Sequence, residues 1–262
     1  MTSPAVSPPS RSVLVTGASG GIGAAVAQRF ARAGDRVAVH YRSDRGGAEE
    51  TLRSLEGDGH SLVVGDIGEP DDAARVVEQA ISALGELDVL VCNAAVAPSA
   101  ANRHVLGEVS FADWTAAFRS MVDVNLLGAA NLAWAFANHL IGRGAPGAIV
   151  NIGSRGAFRG EPEYPAYAAS KAGLHALGQS LAVTLAPHAI SVTSVAPGFV
   201  ATARQFSKLD GGEGDALRAQ SPFGRVGTPE EIAAAAFWLA SPEAAWCSGA
   251  ILDANGASYL RS

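Results

Sequence analysis

The sequence predicts an α/β fold: one domain built on a doubly wound parallel sheet with helices on both faces. Three observations predict it. Short apolar runs of strand length alternate with alanine-rich helical stretches, which is the rhythm of βαβ units. The runs are continuously apolar rather than alternating, so helices should cover both faces of the sheet. A chain of 262 residues with 48% hydrophobic and 17% charged residues can fill one large core, and no proline-rich linker divides it.

Val13, Leu14 and Val15 form the first expected strand, and a glycine-rich turn leads from it into a helix over 21–33. Val37 to Val39 follows, then a helix over 46–56. Leu62 to Val64 precedes a helix over 69–84, and Val89 to Val91 makes the fourth strand. A long helical stretch over 111–141, broken near Asn125, leads to Ala148, Ile149 and Val150. A helix over 166–186, a strand over 191–195, a helix over 228–239 and a last strand at Ala250 to Leu252 complete the chain. Two long connections, 95–110 and 199–225, read as binding loops or lids. Residues 1–11 carry prolines and serines without an apolar signal core, so they read as a loose tail before a domain at 12–262.

Composition narrows the function. A net charge of -6 with no lysine/arginine block argues against nucleic acid as a partner. Cys92 and Cys247 lie far apart and form no C-x-x-C pair, which suggests neither disulfides nor zinc and points to the cytosol. The most membrane-like stretch, 122–141, is interrupted by Asp123, Asn125, Asn131, Asn138 and His139, so a buried or interface helix is expected instead.

The first strand runs into Thr16-Gly17-Ala18-Ser19-Gly20-Gly21-Ile22-Gly23. A turn without Cβ atoms lets the backbone approach a pyrophosphate, and the helix behind it offers N–H groups and a positive dipole end. The spacing is G-x-x-x-G-x-G, so taken alone it also fits a merely tight strand-to-helix turn. An acid after the second strand would accept from a ribose 2′-OH, whereas an arginine would accommodate a 2′-phosphate. Asp44 lies at the distance expected for the acid, but the apolar strand stops by Tyr41, so Arg42 is better placed and NADP(H) is expected over NAD(H).

Only two residues are lysines, and one of them, Lys171, lies four residues after Tyr167. That spacing puts both on one helix face. A tyrosine with an unperturbed pKa near 10 needs a nearby cation to act in proton transfer at neutral pH, and Lys171 would supply it. Tyr164 has Ala168 at the same offset and fails this test.

These residues together resemble the short-chain dehydrogenase/reductase family over 12–260, most closely its 3-oxoacyl-carrier-protein reductase-like branch. The shared features are the turn at 16–23, Asp66, Asn93-Ala94-Ala95, Asn125, Ser154 thirteen residues before Tyr167, Lys171, and Pro197-Gly198 followed by Thr202. The resemblance implies a Rossmann fold and a catalytic tetrad. Ser154 would hydrogen-bond the substrate oxygen, Tyr167 would transfer the proton, and Lys171 would bind the nicotinamide ribose and lower the tyrosine pKa. Asn125 would hold a relay water. Gly17, Ser19, Gly21, Ile22, Gly23, Arg42, Asp66 and Asn93 would bind the cofactor, with Tyr167 and Lys171 touching it and Pro197, Gly198 and Thr202 bordering the nicotinamide. The family commonly has glycine where Ala95 and Ala257 stand here.

The implied activity is reversible, NADP(H)-dependent reduction of a ketone to a secondary alcohol, on a small free ketone or a 3-oxoacyl thioester. The alternatives are reduction of a 3-oxoacyl group on acyl carrier protein, oxidation of a sugar or polyol, and a dinucleotide-binding regulator without chemistry. Carrier docking would need basic side chains near the mouth, yet 172–188 contains no lysine or arginine; Arg143, Arg155 and Arg159 are the candidates left. Arg155 and Arg159 are also close enough to Ser154 in sequence to meet an anionic substrate group. The helices at 126–140 and 166–185 and the tail at 251–260 match segments through which relatives associate, implying a homotetramer.

Overall fold

In the computed structural model, residues 10–203, 205 and 209–261 are described. Most of the expected tail, Met1 to Pro9, lies outside them. Arg11, which closes that tail in the sequence reading, is tied down instead: its guanidinium pairs with Asp35 at 2.7 Å and stacks on the rings of Phe30 and Phe237.

Seven strands form one sheet: β1 (Ser12–Val15), β2 (Arg36–Tyr41), β3 (Ser61–Val64), β4 (Val89–Cys92), β5 (Gly147–Ile152), β6 (Ile190–Pro197) and β7 (Ile251–Ala254). All neighbouring pairs are parallel, in the order β3-β2-β1-β4-β5-β6-β7. The strand order reverses between β1 and β4, and in an open α/β sheet the crevice beyond the carboxyl ends at such a reversal is where ligands bind.

The core divides by strand alternation. Val13 and Val15 of β1 face one cluster and Leu14 faces the other, because successive side chains point to opposite faces. Helices α1 (Gly21–Arg32) and α9 (Pro229–Leu239) cover the first face, with Phe30, Ile232 and Leu239 buried there. Helices α3 (Pro70–Leu84), α5 (Ala129–Arg143) and α7 (Pro165–Leu185) cover the second, burying Val76, Leu132, Phe136 and Leu174. Between β2 and β3 lies α2 (Arg45–Ser54), whose N-cap Asp44 accepts from the Gly47 amide at 3.0 Å. Among the described residues no helix is long and apolar enough to cross a membrane.

The expected break near Asn125 is a π-helical turn, Asp123–Gly128, between α4 (Phe111–Val122) and α5. The connections differ more from expectation. The stretch 199–225, read as a loop, contains helix α8 (Gly211–Ala219); Arg204 and 206–208 lie outside the described residues. The short helix α6 (Gly156–Arg159) follows Ser154 directly, and a 3-10 turn, Ala100–Asn102, folds the 95–110 connection.

Candidate active site

The glycine turn stands at the carboxyl end of β1. Gly17 and Gly21 have φ of 63° and 56°, left-handed values that favour glycine. A Cβ on Gly17 would come within 2.8 Å of the Ala94 Cα, so glycine is also required by the close approach of β4. Helix α1 begins at Gly21 with no side-chain cap and no acid in its first turn. Its leading N–H groups are therefore left for an external acceptor, and Gly20 opens onto empty space. The donor set fits a dinucleotide pyrophosphate. Thr202 reaches the same place, with its methyl 3.2 Å from where a Cβ on Gly21 would sit. A cavity of about 400 Å³ opens there, lined by Gly21, Ala24, Gln28 and Thr202 among others.

Two side chains brace this turn from beneath. Asn93, expected to bind cofactor, donates its amide to the carbonyls of Thr16 and Gly17 at 2.9 and 3.0 Å. Its role in this structure is to shape the turn, because the end of β4 lies directly under it. His40 was not singled out by its sequence. It is buried in β2, accepts the Gly17 N–H on Nδ1 at 3.1 Å, and lies 3.1 Å from the Gly65 carbonyl through Nε2. With Nδ1 accepting, the ring is neutral with its proton on Nε2. Burial pushes its pKa down to about 4, against smaller upward pulls from Gly65 and Asp66.

Arg42 and Asp66 meet beyond the ends of β2 and β3, with Nη1 and Oδ2 3.6 Å apart. Both are substantially exposed, and an open pair of this kind is held weakly enough to rearrange around a ligand. Asp66 also accepts from the Gly68 amide at 3.0 Å. Asp44, the alternative acid, has its carboxylate committed to capping α2.

The reactive trio gathers at the carboxyl ends of β5 and β6. The Ser154 side chain lies near enough to the Tyr167 hydroxyl to draw its pKa down. Ser154 Oγ accepts from the Gly156 N–H at 3.0 Å. Lys171 is buried one helical turn further along α7, its ammonium donating to the Ile152 carbonyl at 2.7 Å. Burial pushes Lys171 down to about 8. Burial likewise pushes Tyr167 up to about 12, opposed by the Ser154 side chain and reinforced by Glu161. The expected lowering of the tyrosine by Lys171 is thus absent from this form of the site. The ammonium is anchored sideways on β5, and the tyrosine hydroxyl is governed by desolvation.

Asn125 sits in the π turn, fully buried, with its side chain committed: Oδ1 accepts from Val96 N at 2.8 Å, and Nδ2 donates to Ser170 Oγ at 3.0 Å. It joins the 95–110 connection to α7. Two further histidines support the trio. His104 accepts the Ala166 amide on Nε2 at 3.0 Å and, through Nδ1, bonds the Asn102 carbonyl at 2.7 Å, thereby capping the start of α7 from the connection. His175 lies behind Ser154, accepting its N–H on Nε2 at 3.4 Å and stacking on Phe158 with ring centres 5.2 Å apart. A Cβ on Gly153 would collide with that ring, so glycine there admits the imidazole. The signal in the sequence was a polar residue inside an apolar element; its partners are backbone atoms, which no spacing reveals. Pro197 and Gly198 close β6, where Gly198 packs against the backbone of Asn255.

A cavity of about 240 Å³ opens alongside, lined by Arg155, Phe199, Gln220 and residues of 253–258. The arrangement places two hydroxyls, a buried ammonium and an uncapped helix start on one edge of the sheet.

A family model described as Enoyl-(Acyl carrier protein) reductase matches residues 17–256. The chain is 34% identical over 253 residues to a 3β-hydroxysteroid dehydrogenase of Eggerthella lenta, covering 95% of this chain and 94% of that one. It is 33% identical over 248 residues to the 3-oxoacyl-(acyl-carrier-protein) reductase of Chlamydia muridarum, covering 94% and 96%. A solved short-chain dehydrogenase from Burkholderia cenocepacia, in complex with NADP, superposes with a TM-score of 0.83 at 30% identity, covering 95% of this chain and 97% of its own. With a match that spans almost the whole chain, the protein belongs to the short-chain dehydrogenase/reductase family, oxidoreductases that act on alcohol and ketone groups with a nicotinamide dinucleotide.

Proposed function

We propose that the protein is an NADP(H)-dependent reductase that interconverts a ketone and a secondary alcohol. The observation that carries this reading is the gathering of Ser154, Tyr167 and the buried Lys171, one turn along α7, on the sheet edge that also bears the uncapped start of α1. Gly17, Ser19, Gly21, Ile22 and Gly23 would hold the pyrophosphate, Asp66 would meet the adenine side, and Pro197, Gly198 and Thr202 would border the nicotinamide. The bound dinucleotide supplies the hydride chemistry.

The chain supplies position and the proton. Ser154 holds the substrate oxygen beside Tyr167. Tyr167 delivers its hydroxyl proton to that oxygen as the carbonyl is reduced, and takes one back in the reverse direction. Lys171, charged at neutral pH with a pKa of about 8, binds the nicotinamide ribose; to stabilise the tyrosinate as well, its ammonium would have to turn from the Ile152 carbonyl. Asn125, its side chain committed to Val96 and Ser170, fixes the π turn, which leaves its backbone as the group that would hold a relay water.

Arg42 selects NADP(H). A guanidinium about 4 Å from a phosphate is attracted by roughly 4 kcal/mol per unit charge at an effective dielectric of 20, before desolvation. The preferred substrate is a free ketone or short thioester, since the basic patch for a carrier protein is thin; acyl carrier protein and sugar substrates are the alternatives. A regulator without chemistry would need the glycine turn and Arg42 but not the hydroxyl pair.

An NADPH-oxidation panel tests the reading, comparing 3-oxoacyl groups on carrier protein, the same groups on short thioesters, and free ketones, at low and high salt. Turnover of free ketones or thioesters within tenfold of the carrier-linked substrate is expected. A carrier advantage above tenfold that collapses in salt overturns the free-substrate reading, and no turnover with any member overturns the reductase reading.

A further inference from the structure

The cavity lined by Arg155, the residue after Ser154, holds one guanidinium with no ion pair of its own among the described residues. Among its charged lining residues, Arg225 is held by both carboxylate oxygens of Glu231 at 2.6 and 2.9 Å, and Asp253 is held by Arg261 at 2.7 Å. Arg155 is 6% exposed. Among the described residues its side chain donates only to the Gln220 side-chain oxygen, at the end of α8. Arg159 approaches the same oxygen at 3.4 Å and faces Glu161 at 3.8 Å. Two guanidinium groups thus share one neutral acceptor and one carboxylate.

Leaving a guanidinium uncompensated at such burial is costly unless a ligand supplies the charge. Burial and the neighbouring Arg159 both work against the charged form of Arg155, and Glu161, which Arg159 shares, offsets them only in part. Arginine cannot respond by losing its proton, so the site keeps its positive charge. A guanidinium has five N–H donors in a planar fork, which matches the two oxygens of a carboxylate. Phe199, Leu217 and Ile232 line the same cavity, suiting a short carbon skeleton beside the guanidinium.

We propose that Arg155 is the anion-recognition residue of the substrate site, and that the preferred ketone carries a carboxylate that engages its guanidinium beside Gln220. This rests on the ketone-reductase reading and names its substrate class. Because Gln220 closes α8, a bound carboxylate also joins that helix to the loop bearing Ser154.

The test uses 3-oxobutanoate, 4-oxopentanoate and 5-oxohexanoate, each beside its methyl ester, in turnover and in calorimetric titration with oxidised cofactor present, where no reduction occurs. For at least one chain length the acid should exceed its ester at least tenfold in kcat/KM and in affinity. Arg155→Gln should bring that ratio to within twofold of unity, and Arg155→Lys should retain part of it. Gln220→Glu, which offers Arg155 an internal carboxylate, should abolish the ratio without altering the buried loop. Acid and ester equal at every length, or an acid preference untouched by Arg155→Gln and Gln220→Glu, overturns the proposal. Turnover absent from all six compounds tells against the reductase reading alone, because the titration still reads the subsite.

Discussion

His40 illustrates what a single buried side chain does for the site. It holds the Gly17 amide and the end of β3 while remaining neutral, so it fixes the glycine turn without adding charge beneath it. Its pKa near 4 lies below the unfolded value of 6.5, so the unfolded chain binds the proton first as pH falls. Stability is therefore complete above pH 6.5 and lost progressively toward pH 4, by about 2 kcal/mol at pH 5 from this residue. His175, also pushed to about 4, adds a loss of the same sign in the same window. Thermal melts at pH 7 and pH 5 should show His40→Gln losing less stability than wild type over that interval; equal losses would mean that the imidazole is not buried neutral. At the cofactor's other end, Arg42→Ala should reduce the ratio of kcat/KM for NADPH over NADH at least tenfold. A wild-type ratio near one would remove Arg42 from the cofactor site.

At the level of elements, all seven strands were legible because a parallel sheet buried on both faces leaves continuous apolar runs, such as Val13 to Val15 and Val89 to Val91. The break at Asn125 was legible as a polar interruption, but its π-helical form depends on how Gly128 meets Ile67: a Cβ there would stand 2.6 Å from the Ile67 carbonyl. Helix α8 was not legible, since GGEGDALRA carries three glycines and little apolar periodicity. Ser154, Tyr167 and Lys171 could be read from spacing, whereas the bracing histidines bond backbone atoms distant in sequence. His104 is the element-scale case, because it caps α7 from the 95–110 connection inside a cluster of Trp114, Phe118 and Tyr164. His104→Phe should keep the aromatic packing but leave the buried Ala166 amide without its acceptor, at a cost of about 1 to 3 kcal/mol. An unchanged denaturation midpoint would show that the cap contributes nothing.

Across the whole molecule, the exposed large apolar side chains of the described residues include two groups. Phe111, Leu127, Trp134 and Val183 stand on the helices of one face, with Trp134 69% and Val183 79% exposed. Trp246, Leu252 and Leu260 form the other, around β7. Contiguous exposed apolar surface marks association, and two separate patches suit two symmetry axes, as in a tetramer. Light scattering should give four times the mass of one chain, and Trp134→Glu should yield a smaller species; a monomeric wild type would return these residues to an ordinary surface.

The central claim, that the Tyr167 hydroxyl transfers the proton at a site assembled for a nicotinamide dinucleotide, is tested most directly by Tyr167→Phe. One preparation should be measured for NADPH binding by fluorescence titration and for turnover of the best ketone. Positioned proton transfer contributes about 10²- to 10⁴-fold. The account predicts NADPH affinity within about threefold of wild type, a margin far below that catalytic factor, and kcat reduced by at least about 100-fold. A variant that turns over at the wild-type rate would contradict it.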